Sequence, residues 1–152
     1  IKVASNLERI GDYGKNMAKR SLVMEPSLIT EQGSNSLRRM TKDVILMMNN
    51  ALDAYVRKDV ELAEAVIIQD KDIDLHYNAL FREFLTFMME DPKNITTCMH
   101  LHFIAKNIER VGDYVTSIAE QAIYVATGEY PSEERPKVDT TSLSKVDPES
   151  VS

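Results

Sequence analysis

The apolar positions of this chain recur at spacings of three and four, the period of an α-helix that buries one face. From Leu37 a stripe runs through Met40, Val44, Met47, Ala51 and Tyr55. A second, Ala63, Val66, Asp70, Ile73, Tyr77, Leu80, Phe84 and Phe87, alternates strictly between three and four. Seams of this kind pack helices antiparallel, side by side, across short loops. Breakers fall at Glu25-Pro26-Ser27, Glu31-Gln32-Gly33-Ser34, Lys58-Asp59, Asp91-Pro92-Lys93-Asn94 and Gly128-Glu129-Tyr130-Pro131. Asp59 has the chemistry of a helix N-cap and Gly128 that of a helix terminator. The pattern predicts four helices, over 1–24, 35–57, 60–90 and 94–127, in an all-α antiparallel helical bundle. Residues 131–152, rich in Pro, Ser, Thr, Lys and acids, read as a tail that need not fold.

Two of these helices are copies of one another. Ala4-Ser5-Asn6-Leu7-Glu8-Arg9-Ile10-Gly11-Asp12-Tyr13 aligns with Ala105-Lys106-Asn107-Ile108-Glu109-Arg110-Val111-Gly112-Asp113-Tyr114, an offset of 101 positions. Duplication over that distance implies paired helical units rather than a solenoid of short repeats. The second copy follows two long helices, whereas the first follows none. The expectation is therefore an N-terminally truncated piece of a longer protein. In it, 1–24 is the last helix of a first unit, 25–34 a connector, and 35–130 a complete second three-helix bundle. The alternative is that the first helix simply completes a four-helix bundle.

Composition narrows the chemistry. With a net charge of −6 and a pI near 5.1, the chain lacks the basic surface that non-specific nucleic-acid binding or a polybasic membrane anchor requires. No apolar run reaches the ~18 residues of a membrane span. The single cysteine, Cys98, excludes an internal disulfide framework and suits the cytoplasm.

Three acidic pairs stand out: Glu8 with Asp12, Asp70 with Asp74, and Glu109 with Asp113. Residues four apart share a helix face, so each pair presents two carboxylates together. Asp70 falls within an apolar seam, where a charge needs a partner. Small residues recur every seven positions, at Ala105, Gly112, Ala119 and Ala126 and again at Ala4, Gly11 and Ala18. Gly in mid-helix costs ~1 kcal/mol relative to Ala, so its place in both copies points to close packing or a site. If the third and fourth helices pack antiparallel, their acid pairs face each other as a hard-oxygen site for Mg²⁺, Ca²⁺, Mn²⁺, iron or zinc. Ion pairing with Arg9, Arg82 or Arg110 is the structural alternative.

Other groups carry less. Cys98 and His102 share a helix face, but His100 points away and no second ligand cluster follows. His76 lacks the context of a phospho-accepting histidine, and Met47-Met48 and Met88-Met89 read as core filling. No phosphate-binding Gly-rich loop, Ser/His/Asp arrangement or His-Glu-x-x-His motif occurs, so no catalytic residues are assigned.

Asn107-Ile108-Glu109-Arg110-Val111-Gly112-Asp113-Tyr114, followed by Ser117-Ile118-Ala119-Glu120, resembles the hallmark helix of the PhoU family. Asn6 to Asp12 resembles its first copy, and Gln69 to Asp74 the matching stretch of the C-terminal bundle. The resemblance covers 1–130 and implies two tandem three-helix bundles that hold metal clusters at Glu/Asp-x-x-x-Asp motifs. It implies ligands at Glu8, Asp12, Asp70, Asp74, Glu109 and Asp113, with iron, zinc, manganese or magnesium as the metal. It also implies a non-enzymatic negative regulator of phosphate uptake and phosphate-starvation signalling, cytoplasmic and commonly a homodimer. The partners so implied are the phosphate ABC transporter ATPase and its sensor histidine kinase, with the membrane reached only through them. A metal-dependent enzyme or metal-storage bundle is the alternative, and a purely structural oligomerisation module is a third reading.

Overall fold

The computed structural model describes residues 2–24 and 26–131. Four long helices follow in order: α1 over Lys2–Ser21, α2 over Leu28–Arg57, α3 over Val60–Glu90 and α4 over Ile95–Thr127. A single 3₁₀ turn, Pro92–Asn94, bends the chain from α3 into α4. Most of the tail expected over 131–152 lies outside the described residues.

The helix ends follow local chemistry. Asp59 caps α3 by accepting a hydrogen bond from the Leu62 amide at 3.0 Å, and Lys58 closes α2 in the left-handed region at φ 54°. Gly128 closes α4 at φ 81°, a conformation that costs glycine little. At α2 the structure departs from the sequence reading. The helix begins at Leu28, because Ser27 accepts from the Thr30 amide at 3.0 Å, and Glu31 to Ser34 are helical rather than connector. Gly33 is there for proximity. A Cβ at that position would stand 2.5 Å from Leu101 Cδ1, so its lack of a side chain lets α2 approach α4.

Helix α4 is the centre of the molecule, packed against α1, α2 and α3, while α2 also packs on α3. The two heptad seams form the core: Met40, Met47, Ala51, Ala63, Val66, Ile73, Tyr77 and Phe84 are buried with Leu101, Ala105, Val115, Ile118 and Ala119 of α4. Tyr55 and Phe87, at the ends of the predicted stripes, are half-buried.

Helix α1 sits differently, lying antiparallel along α4 with none of its own residues fully buried. Asn6 Nδ2 donates to Ser117 Oγ at 3.1 Å, Tyr13 packs on Tyr114 with centroids 5.7 Å apart, and Arg20 covers the Phe103 ring. Ile10, Gly14 and Met17 roof an apolar crevice of about 150 Å³ above Val44, Met48, Ile108 and Val111. Among the described residues no helix is long and apolar enough to cross a membrane.

Candidate functional site

The two copies of the repeated motif occupy opposite environments. On α4, Ala105, Gly112 and Ala119 are buried; on α1, Ala4, Gly11 and Ala18 are exposed. A Cβ on Gly112 would lie 3.1 Å from Asp70 Oδ1 and 3.7 Å from Ile73 Cγ2, whereas one on Gly11 would meet nothing within 4 Å among the described residues. Gly112 of α4 therefore lies close against α3, and among the described residues nothing packs on its counterpart Gly11 of α1.

The acids divide in the same way. Asp70, Asp74 and Glu109 are buried at 3%, 0% and 2% exposure, and Asp113 is half-buried. Glu8 and Asp12 are exposed. The antiparallel register that sets Asp70 against Gly112 and Tyr77 beneath Lys106 brings Asp74 to the level of Glu109. Four of the six expected residues thus belong to one α3–α4 interface, and the other two stand apart from it on α1. Among the described residues, no three of His, Cys, Asp and Glu are grouped closely enough to hold a metal ion as they stand.

Lys106 is a cation beside these acids, while Arg9, Arg82 and Arg110 are exposed. Its Nζ lies 3.3 Å from Glu109 Oε2 and 5.0 Å over the Tyr77 ring. The sequence does signal this pair, since Lys106 precedes Glu109 by three positions and so shares its face. His102, which shares a helix face with Cys98, has its ring packed against Tyr77 and Phe81, with centroids 5.9 and 5.3 Å away. Cys98 is buried, and burial, followed by the charge of Glu83, raises its thiol pKa above the ordinary value. A thiol so held is a poor nucleophile and a poor ligand.

The α1–α4 seam holds a second polar cluster. Arg20 Nη1 donates to His100 Nδ1 at 3.3 Å, and its guanidinium stacks 4.0 Å from the Phe103 centroid. The hydrogen bond with Tyr114, then burial, raises the Tyr13 phenol above its ordinary pKa, against the smaller pull of Arg110 and Arg9. Those two arginines are equivalent in the repeat.

Comparison with known proteins bears on the family and the fold. The PhoU domain matches residues 37–122, which include nearly all of the α2–α4 bundle. The chain is 47% identical over 142 residues to a protein of Rhizobium meliloti named as a phosphate-specific transport system accessory protein PhoU homolog. A Caulobacter vibrioides protein of the same name is 44% identical over 142 residues. Each alignment takes in 93% of this chain but only 60% and 62% of the relative, so the chain spans about three fifths of their length. The crystal structure of PhoU from Pseudomonas aeruginosa superposes with a TM-score of 0.75 at 34% identity, over 84% of this chain and 61% of that one. The solved structure supports the all-helical bundle, and by domain match and sequence relatives the chain belongs to the PhoU family.

Proposed function

We propose that this chain is part of an accessory regulator of phosphate transport, and that it regulates by docking rather than by catalysis. Its relatives are named as accessory proteins of a phosphate-specific transport system. On this reading it restrains phosphate uptake and the starvation response. It does so at the cytoplasmic face, as a homodimer that contacts the transporter ATPase and the sensor histidine kinase. Helix α1 is then the last helix of a preceding three-helix unit, whose other helices cover its Gly11 face as α3 covers Gly112.

The reading extends to metal. Three buried carboxylates and a fourth half-buried at one helix interface carry that part of the proposal. Negative charge gathered at such depth calls for compensation, and a hard cation supplies it through oxygen ligands. Asp70, Asp74, Glu109 and Asp113 would supply those oxygens, and Lys106 would have to release Glu109. Iron, zinc, manganese and magnesium all accept such donors, and the metal adds charge and rigidity to the α3–α4 face. Glu8 and Asp12 would serve an equivalent site only when a helix covers α1.

The ion pair of Lys106 with Glu109 favours a second reading, in which the acids are structural and neutralised from within. Elemental analysis of the purified chain beside Asp70→Ala/Asp113→Ala separates the two. Metal at a fixed ratio in the wild type, absent from the double variant, is the expected result. A metal content that is nil or equal in both assigns the acids to ion pairing. The regulatory part is tested in cells: replacing the PhoU protein with a Gly112→Leu variant should derepress a phosphate-starvation reporter in phosphate-rich medium. Unchanged repression by a stably expressed variant removes the α3–α4 face from the mechanism.

A further inference from the structure

A groove of about 550 Å³ runs between the last turn of α1 and the first half of α4. On α4, Thr96, Met99, His100, Phe103, Lys106, Asn107 and Arg110 recur at three and four, so a single helix face forms the floor. Arg20 of α1 supplies the wall. Three lining residues are permanent cations, two are histidines, and none is acidic. In a chain of net charge −6, that local excess of positive charge is the reverse of the whole.

The geometry points to an oxyanion site here, for phosphate or a phosphoryl group carried on a larger molecule. Arg20 is pre-organised: stacked on Phe103 and bonded to His100, it has already lost the side-chain freedom that binding would otherwise cost. Arg110 lines the groove from α4, two turns beyond Phe103, and Asn107 and Thr96 add neutral polar groups. Lys106 is shared with Glu109, which reduces its weight in the groove and leaves the two arginines as the principal ligands. Two to three cations exceed what one carboxylate balances, and suit a phosphoryl group of charge about −1.5 to −2. Guanidinium also matches the tetrahedral oxygens with paired N–H donors. The volume exceeds the needs of a bare phosphate and falls within the range of small-molecule sites, leaving room for a carrier.

The groove shares Lys106 with the carboxylates between α3 and α4, and its test is separated from them by removing metal. Inorganic phosphate, and in a separate arm a phosphoserine peptide, is titrated into the chain in EDTA, with amide shifts followed by NMR. Chloride at matched ionic strength is the control. Saturable shifts at Thr96, His100, Asn107 and Arg110 are expected, with affinity weakened about tenfold in Arg20→Gln and in Arg110→Gln. Arg38→Gln, a cation removed from α2 outside the groove, should bind as the wild type does. Arg20→Lys keeps the charge without the fork and should lose part of the affinity, which guards against a folding artefact in Arg20→Gln. Saturation by inorganic phosphate identifies the free ion as the source; saturation by the peptide alone identifies a carried phosphoryl group. Shifts that chloride reproduces, or that survive both arginine variants, overturn the site.

Discussion

The sharpest consequence of the structure concerns one substitution made at two equivalent positions. Gly11 and Gly112 occupy the same place in the repeat, and Gly→Ala in a helix interior gains ~1 kcal/mol from backbone entropy at either site. At Gly11 no atom of the described residues lies within 4 Å of the new methyl, so the gain stands unopposed there. At Gly112 the methyl arrives 3.1 Å from Asp70 Oδ1, tighter than ordinary van der Waals contact, in an interface where Asp70 is 3% exposed. Crowding a packed core costs ~1–3 kcal/mol, which cancels or outweighs the propensity gain. The expected outcome is that Gly11→Ala stabilises by ~1 kcal/mol while Gly112→Ala is neutral to destabilising by ~2 kcal/mol. Urea denaturation followed by circular dichroism measures the second. Hydrogen exchange of α1 amides measures the first, because α1 buries no residue fully and can open before the bundle does. Equal stabilisation by both substitutions would refute the close approach of α3 to α4 and, with it, the shared carboxylate interface.

Further outcomes follow from single contacts. Replacing Gly33 with Ala drives a methyl into Leu101 and should cost up to ~2 kcal/mol in urea, the lower end applying if the leucine swings aside. Asp59→Ala removes the cap on α3 and should lower stability by ~1 kcal/mol, with Asp59→Asn retaining most of it in the same titration. The Tyr13 pKa is raised above 10.0 in the folded chain, so the folded state holds that proton more tightly. Its contribution is complete below about pH 10 and is lost as pH rises through the folded-state value. Tyr13→Phe should flatten that part of the pH dependence of unfolding midpoints compared at pH values either side of that point. Lys106→Met leaves Glu109 without its ion pair and should destabilise the apo chain, by less when the titration is repeated with an excess of divalent metal.

Much of the architecture is written in the periodicity. The seams through Met40 and Met47, and through Val66, Ile73 and Phe84, are buried as their spacing requires. Asp59 and Gly128 end helices through local hydrogen bonding and backbone freedom, which nearest neighbours decide. Gly33 misled for a physical reason. Glycine breaks an isolated helix, but one that meets Leu101 of another helix is retained for proximity, and no local pattern records the partner. The doubled motif likewise identified its four acids, Glu8, Asp12, Glu109 and Asp113, without telling their environments apart. Sequence places Glu8 and Glu109 identically, because side-chain chemistry and helical spacing are local properties. Burial is not local. Asp70, Asp74 and Glu109 are enclosed only because α3 lies across the Gly112 face, while the Gly11 face of α1 remains open. In the same way Lys106 meets Tyr77, and Arg20 meets His100 and Phe103, across contacts distant in the chain. Side-chain chemistry and spacing along the chain set the helices, their buried stripes and the repeated acid pairs. Only the tertiary packing decided which copy is enclosed, which cation meets it and where positive charge collects, because these depend on what the facing helix brings.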